Sequence, residues 1–67
     1  MSTLKVNGKE RPYTKGMTVT SLLEKDLGIT GKVVVEINGN IIQREYFATT
    51  ELNKGDLVEI VHFVGGG

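Results

Sequence analysis

The chain has 67 residues, enough for one domain, and its 8 Lys plus Arg balance its 8 Asp plus Glu to a formal net charge of zero. A neutral chain has no electrostatic pull toward DNA, RNA or an acidic membrane surface. Cysteine is absent, which excludes disulfides, thiolate nucleophiles, zinc ribbons and iron–sulfur clusters, and the single histidine, His62, builds neither a histidine metal site nor a triad by itself.

With 39% apolar and 24% charged residues the composition is that of a globular chain. No apolar run exceeds three residues, as in Val33 to Val35, so neither a transmembrane span nor a signal h-region is present and the expected compartment is the cytosol. A chain this short buries only about 60% of its unfolded surface. Its core supplies roughly 3–5 kcal/mol of net stability without a disulfide or metal. That leaves little room for a deep catalytic pocket and favours a binding or carrier protein over an enzyme.

Thr3 to Asn7 alternates apolar Leu4 and Val6 with polar Thr3 and Lys5, the pattern of a half-buried strand. Asn7-Gly8 then predicts a two-residue hairpin, because both central positions of a type I′ turn need φ > 0. A second strand follows over Lys9 to Tyr13. Pro12 offers no N–H to a ladder, so this strand is expected at an edge. Lys15-Gly16 breaks the chain. Thr18 is the predicted N-cap of a short helix, with Met17 and Leu22 as its hydrophobic staple. Val19, Leu22, Leu23 and Leu27 form one apolar stripe, Glu24, Lys25 and Asp26 take the wet side, and Gly28 suits the C′ position.

Lys32 to Ile37 carries the β-branched run of an interior strand. Asn38-Gly39 repeats the hairpin signal, and Asn40 to Ile42 is a short return strand. Gln43 to Leu52 is irregular, with a helical turn as one option and Tyr46, Phe47 and Leu52 as its anchors. Lys54-Gly55-Asp56 is a turn, and Leu57 to Phe63 is the last strand. One short helix on a small sheet makes an α+β domain.

In the last strand Val58, Ile60 and His62 share one face; Leu57, Glu59, Val61 and Phe63 share the other. Glu59 is costly to bury, so the Val58 face is assigned to the core. Val61 and Phe63 then either form a docking patch beside the tail or pack under a loop against Tyr46 or Phe47. Gly65-Gly66-Gly67 contributes nothing to a core and loses the most entropy on ordering, so a mobile tail is expected. It is either an inert frayed end or an arm that threads a narrow channel. Three extended residues reach about 10 Å. A carboxylate at its tip is a poor electrophile until adenylated, after which it accepts a sulfur nucleophile or an amine.

The ending Asp56 to Gly67 resembles the ThiS family of sulfur carriers of thiamin biosynthesis, which are ubiquitin-like β-grasp proteins. Val6-Asn7-Gly8, the helix from Thr18 to Leu27, the Ile37-Asn38-Gly39 hairpin and Arg44-Glu45 followed by aromatics are similar too. One departure is Gln43, where the family usually has proline. The resemblance implies a β-grasp domain over 1–64, with one helix on a small mixed sheet of four to five strands. It implies first and last strands that lie side by side and parallel, and a flexible tail over 65–67. It further implies a protein co-substrate with no bound cofactor. Its Gly67 carboxylate is adenylated with ATP by a ThiF-like enzyme and converted to a thiocarboxylate with sulfur from a cysteine desulfurase. The sulfur then passes to thiazole synthase (ThiG). Val61, Phe63 and Val64 are the partner-binding residues expected from their place beside the tail.

Three alternatives stand beside it: a carrier for molybdopterin synthesis, a ubiquitin-like modifier that forms an isopeptide bond with lysine, and a small interaction domain with an inert tail. His62 is expected at the rim or core of the last strand. Arg44-Glu45 is read as an exposed ion pair or a loop anchor ahead of a partner-docking pair, and Lys5, Lys9, Arg11, Lys15 and Lys54 as a mixed solvated surface ahead of a basic face.

Overall fold

The computed structural model describes residues 2–63. The proposed domain boundary after residue 64, the tail Gly65 to Gly67, and Val64 lie outside the described residues. Five strands, β1 (Thr3–Val6), β2 (Lys9–Pro12), β3 (Val33–Ile37), β4 (Asn40–Ile42) and β5 (Leu57–His62), form one sheet in the order β2-β1-β5-β3-β4. β1 and β5 are parallel, with Lys5 beside Leu57 and Val6 beside Val58; every other pairing is antiparallel. This is the β-grasp arrangement, and β2 with its proline takes an edge as expected.

Both hairpins turn at Asn-Gly. Asn7 and Gly8 have φ of 51° and 83°, and Asn38 and Gly39 have 51° and 86°. These left-handed values give the turn a twist that matches the strands it joins.

The helix α1 (Val19–Ser21) widens without a break into a π-helical turn, Leu22–Asp26. Its N-terminus leaves no donor unpaired. Val19 N–H reaches the Thr50 carbonyl (3.1 Å) and Thr20 N–H the Phe47 carbonyl (3.1 Å). Ser21 N–H reaches Thr18 Oγ1 (3.2 Å), and Ser21 Oγ accepts from Thr18 N–H (2.9 Å), which closes a capping box. The widening was not expected from the sequence. It follows from where the far end is tied: Leu27 N–H bonds the Leu22 carbonyl at 3.0 Å and Ile29 N–H the Leu23 carbonyl at 2.8 Å. Gly28 sits between them at φ +62°, the C′ role its position predicts. Leu27 and Ile29 pack half-buried against the core as a result.

The core lies between the helix and one face of the sheet. Leu4, Val6, Val35, Val58 and Ile60 meet Val19, Leu22 and Leu23, with Met17, Phe47 and Leu52 closing the margins. The stripe and staple residues are thus buried as predicted, Leu27 only in part. Gln43 to Leu52 contains a 3₁₀ turn, Arg44–Tyr46. Phe47 and Leu52 anchor this stretch, but Tyr46 is 53% exposed and is not an anchor. The one-turn 3₁₀ helix aims adjacent aromatics in different directions, and only Phe47 points inward. Asp56 is buried, and its carboxylate accepts from Asn53 N–H (2.8 Å) and from Asn38 Nδ2 (3.0 Å).

Candidate functional site

β5 is the central strand, and it carries the chain toward Gly65-Gly66-Gly67. Its inward face holds Val58 and Ile60 in the core. On its outward face Leu57 and Val61 are each 56% exposed, and Phe63 just beyond the strand is 53% exposed. The packing of Val61 and Phe63 beneath a loop, one of the two sequence expectations, does not occur. Phe47 is committed to the core and Tyr46 faces solvent.

Register fixes what surrounds these residues. Val61 lies opposite Val34, and Glu59 opposite Glu36, whose other neighbour is Ile41 on β4. Ile41 is 67% exposed. The outward face therefore presents Ile41, Leu57, Val34 and Val61 around two facing carboxylates. Directly opposed like charges destabilise a sheet, so this arrangement is not what stability by itself selects.

The end of β5 is tied down from one side. β1 stops at Val6, and the Asn7 side chain takes over its ladder: Asn7 Oδ1 accepts from Ile60 N–H (2.8 Å) and Nδ2 donates to the Ile60 carbonyl (3.1 Å). On the β3 side, three successive carbonyls of the loop before β3 are occupied. Thr30 accepts from His62 Nε2 (2.8 Å), Gly31 from Arg44 Nη2 (2.7 Å), and Lys32 from Phe63 N–H (3.0 Å). A carbonyl only accepts, so Nε2 of His62 carries the hydrogen. The Lys32 ammonium stands 6.0 Å from the Phe63 ring centroid, a cation–π contact at the limit of its range.

His62 is thus an exposed rim residue, and Arg44 a loop anchor, one of the two roles weighed for it. The candidate basic residues do not share one face: Lys5 lies opposite Glu10 on the outward face, while Lys9 and Arg11 lie opposite Val6 and Leu4 on the other. Among the described residues no cluster of three His, Asp or Glu could hold a metal ion, and no helix is long and apolar enough to cross a membrane. The grooves are open. One of about 290 Å³ runs between helix and 3₁₀ turn past Leu23, Glu24, Arg44 and Phe47. Nothing in it pairs a nucleophile with a base.

A family model described as the ThiS family matches residues 4–67. The chain is 42% identical over 65 residues to the sulfur carrier protein ThiS of Bacillus subtilis, covering 96% of this chain and 98% of that one. It is 45% identical over 65 residues to a thiazole synthase of Paramagnetospirillum magneticum, covering 96% of this chain and 20% of the other. This chain therefore spans about a fifth of that relative's length. Among solved structures, a crystal structure of the thiamine biosynthesis protein ThiS from Geobacter metallireducens has a TM-score of 0.73 and 40% identity, covering 97% of this chain and 99% of that one. A solution structure of a thiamine biosynthesis protein from the same organism has a TM-score of 0.75 and 39% identity, covering 100% of this chain and 88% of that one.

Proposed function

Because the chain belongs to the ThiS family, we propose that it is a sulfur carrier for the thiazole ring of thiamin, a cytoplasmic protein co-substrate whose reactive atom is the carbonyl carbon of Gly67. An ATP-dependent, ThiF-like partner transfers AMP to the Gly67 carboxylate and releases pyrophosphate. A persulfide supplied through a cysteine desulfurase displaces AMP. A second thiol then takes the outer sulfur of the resulting acyl disulfide, leaving a thiocarboxylate on Gly67. Thiazole synthase accepts that sulfur.

The observation that carries this reading is the end of β5. A strand fixed in the core by Val58 and Ile60 shows Val61 and Phe63 to solvent, and only Val64 separates Phe63 from three residues without side chains. A rigid body with an apolar docking face and a slender arm suits delivery of a chain end into another protein's site. Val61 and Phe63, with Val64 next in sequence, would dock the activating partner, together with Leu57 and Ile41 on the same face. The thiazole synthases of Paramagnetospirillum magneticum and Magnetococcus marinus each contain a stretch similar to this chain, which supports thiazole synthase as the sulfur acceptor.

The test is an intact mass before and after incubation with ATP, an activating enzyme and a sulfur donor. A gain of one oxygen-for-sulfur exchange mapped to Gly67 is expected. An unchanged Gly67, with the chain instead joined to lysines of other proteins, would overturn the carrier reading in favour of a ubiquitin-like modifier. Changing Val61 and Phe63 together to Ser should raise the carrier concentration needed for half-maximal loading while the fold persists.

A further inference from the structure

We propose that Arg44 is a positioning residue that sets the direction in which the chain leaves β5, and hence the delivery of Gly67; this rests on the carrier reading above. After Ile60 the strand has no backbone neighbour on the β1 side among the described residues, because β1 ends at Val6 and the Asn7 side chain closes that edge. Among the described residues Phe63 is held from the other side, where β3 pairs as far as His62 and the loop before β3 takes over at Phe63. Phe63 N–H bonds the carbonyl of Lys32, one residue before β3 begins.

That loop has little stiffness of its own. Gly28 and Gly31 lie at φ +62° and +95°, and glycine loses more freedom than any other residue when held in one conformation. A β-carbon at Gly28 would meet nothing within 4 Å, and one at Gly31 only His62 Nε2 at 3.9 Å, so neither glycine is there to make room for a packed neighbour. Ile29, half-buried and bonded through its N–H to the Leu23 carbonyl, anchors the start of the loop, and from Thr30 to Lys32 it is held by its carbonyls. Two of the three donors, His62 Nε2 and Phe63 N–H, belong to the strand end that needs holding, so they cannot fix the loop independently of it.

Arg44 can. It sits on the 3₁₀ turn next to buried Phe47, and its guanidinium donates to Gly31 at 2.7 Å, between the two carbonyls that hold the strand end. A charged donor makes the bond short and directional. Arg44 therefore joins the 3₁₀ turn, a segment separate from β5 and anchored by Phe47, to the residue next to Lys32. Phe63 is where the chain sets out toward Gly67, and misplacing a reacting group by about 1 Å can cost on the order of 100-fold in rate.

Two measurements on Arg44→Ala and Arg44→Lys test this. In the free protein, amide exchange should rise about tenfold at Phe63 in Arg44→Ala while the β1 amides keep their protection, since only a local opening is released. Arg44→Lys, which keeps a charged donor, should restore most of it. In sulfur loading, Arg44→Ala should lower turnover at saturating carrier about tenfold, a loss that added carrier does not restore, whatever the released Phe63 does to the half-saturating concentration. Equal rises at Phe63 and β1, or none at Phe63, would overturn the tie. Altered exchange with normal turnover would overturn the positioning role. A wild-type chain that takes up no sulfur would overturn the carrier reading and the role in loading with it, while the exchange experiment still decides the tie.

Discussion

Asn7 and Asn38 each perform two tasks. Their backbones take the positive φ of a hairpin turn, and their side chains bond the backbone of β5. Asn7 brackets Ile60; Asn38 accepts from Leu57 N–H at 3.0 Å and donates to the buried Asp56 carboxylate. Both hairpins are thereby locked onto the strand that leads to the tail. Gln43 shows the converse case, in which a backbone is ready for a residue the chain lacks. Its φ of −69° and ψ of 143° are those proline adopts, its neighbour Ile42 is already extended, and its N–H makes no backbone hydrogen bond among the described residues. Gln43→Pro should therefore stabilise the protein by about 0.4–1 kcal/mol, through a less free unfolded chain, as read by urea denaturation. The missing proline thus leaves the turn conformation in place. The turn roles of the asparagines are visible in the dipeptide itself, since few residues accept φ > 0. Their grip on β5 is not, because Ile60 is 53 residues from Asn7 and only the folded sheet brings them together. The misassignment of Tyr46 has the same root: composition marks an aromatic as an anchor, but the direction of a single 3₁₀ turn decides which of two neighbours goes inside.

At the level of the element, periodicity was most informative where one face is dry and the other wet. The stripe Val19, Leu22, Leu23, Leu27 and the alternation in β5 both identified the buried side correctly. The π-helical turn carries no such signal, since no proline or internal glycine marks it; it arises from the contacts of Leu27 and Ile29 beyond the helix. The outward face of the sheet is the other element whose character needs the register. Glu36 and Glu59 are 23 positions apart in sequence and directly opposite in the sheet. Replacing Glu59 with Thr removes the facing charges and inserts a strand-favouring residue, which should stabilise the fold by roughly 0.2–1 kcal/mol. If the face serves docking, the same change should raise the carrier concentration for half-maximal sulfur loading. Thermal melts and loading kinetics read the two effects separately. A gain in stability with unchanged kinetics would remove Glu59 from the docking surface.

For the whole molecule, the strand order β2-β1-β5-β3-β4 makes the last strand the centre of the sheet, so the strand that leads toward the three glycines is paired on both sides. The parallel pairing of β1 and β5 was supplied by family resemblance; nothing in local pattern distinguishes it from other orders. Every residue of the described core lies between Leu4 and Ile60, and the last tie of the strand end among the described residues is at Phe63. A chain ending at Val64 should accordingly keep the melting temperature and denaturant midpoint of the full protein and take up no sulfur. The two readouts separate the roles of body and arm. An appreciable loss of stability would mean that Gly65 to Gly67 contribute to the fold, which conflicts with a side-chain-free arm acting only as a carrier. Retained stability with retained sulfur uptake would place the reactive atom somewhere other than Gly67. Unchanged melting with uptake abolished is the expected result, because three residues without side chains add almost no apolar surface to the burial that stabilises so small a domain.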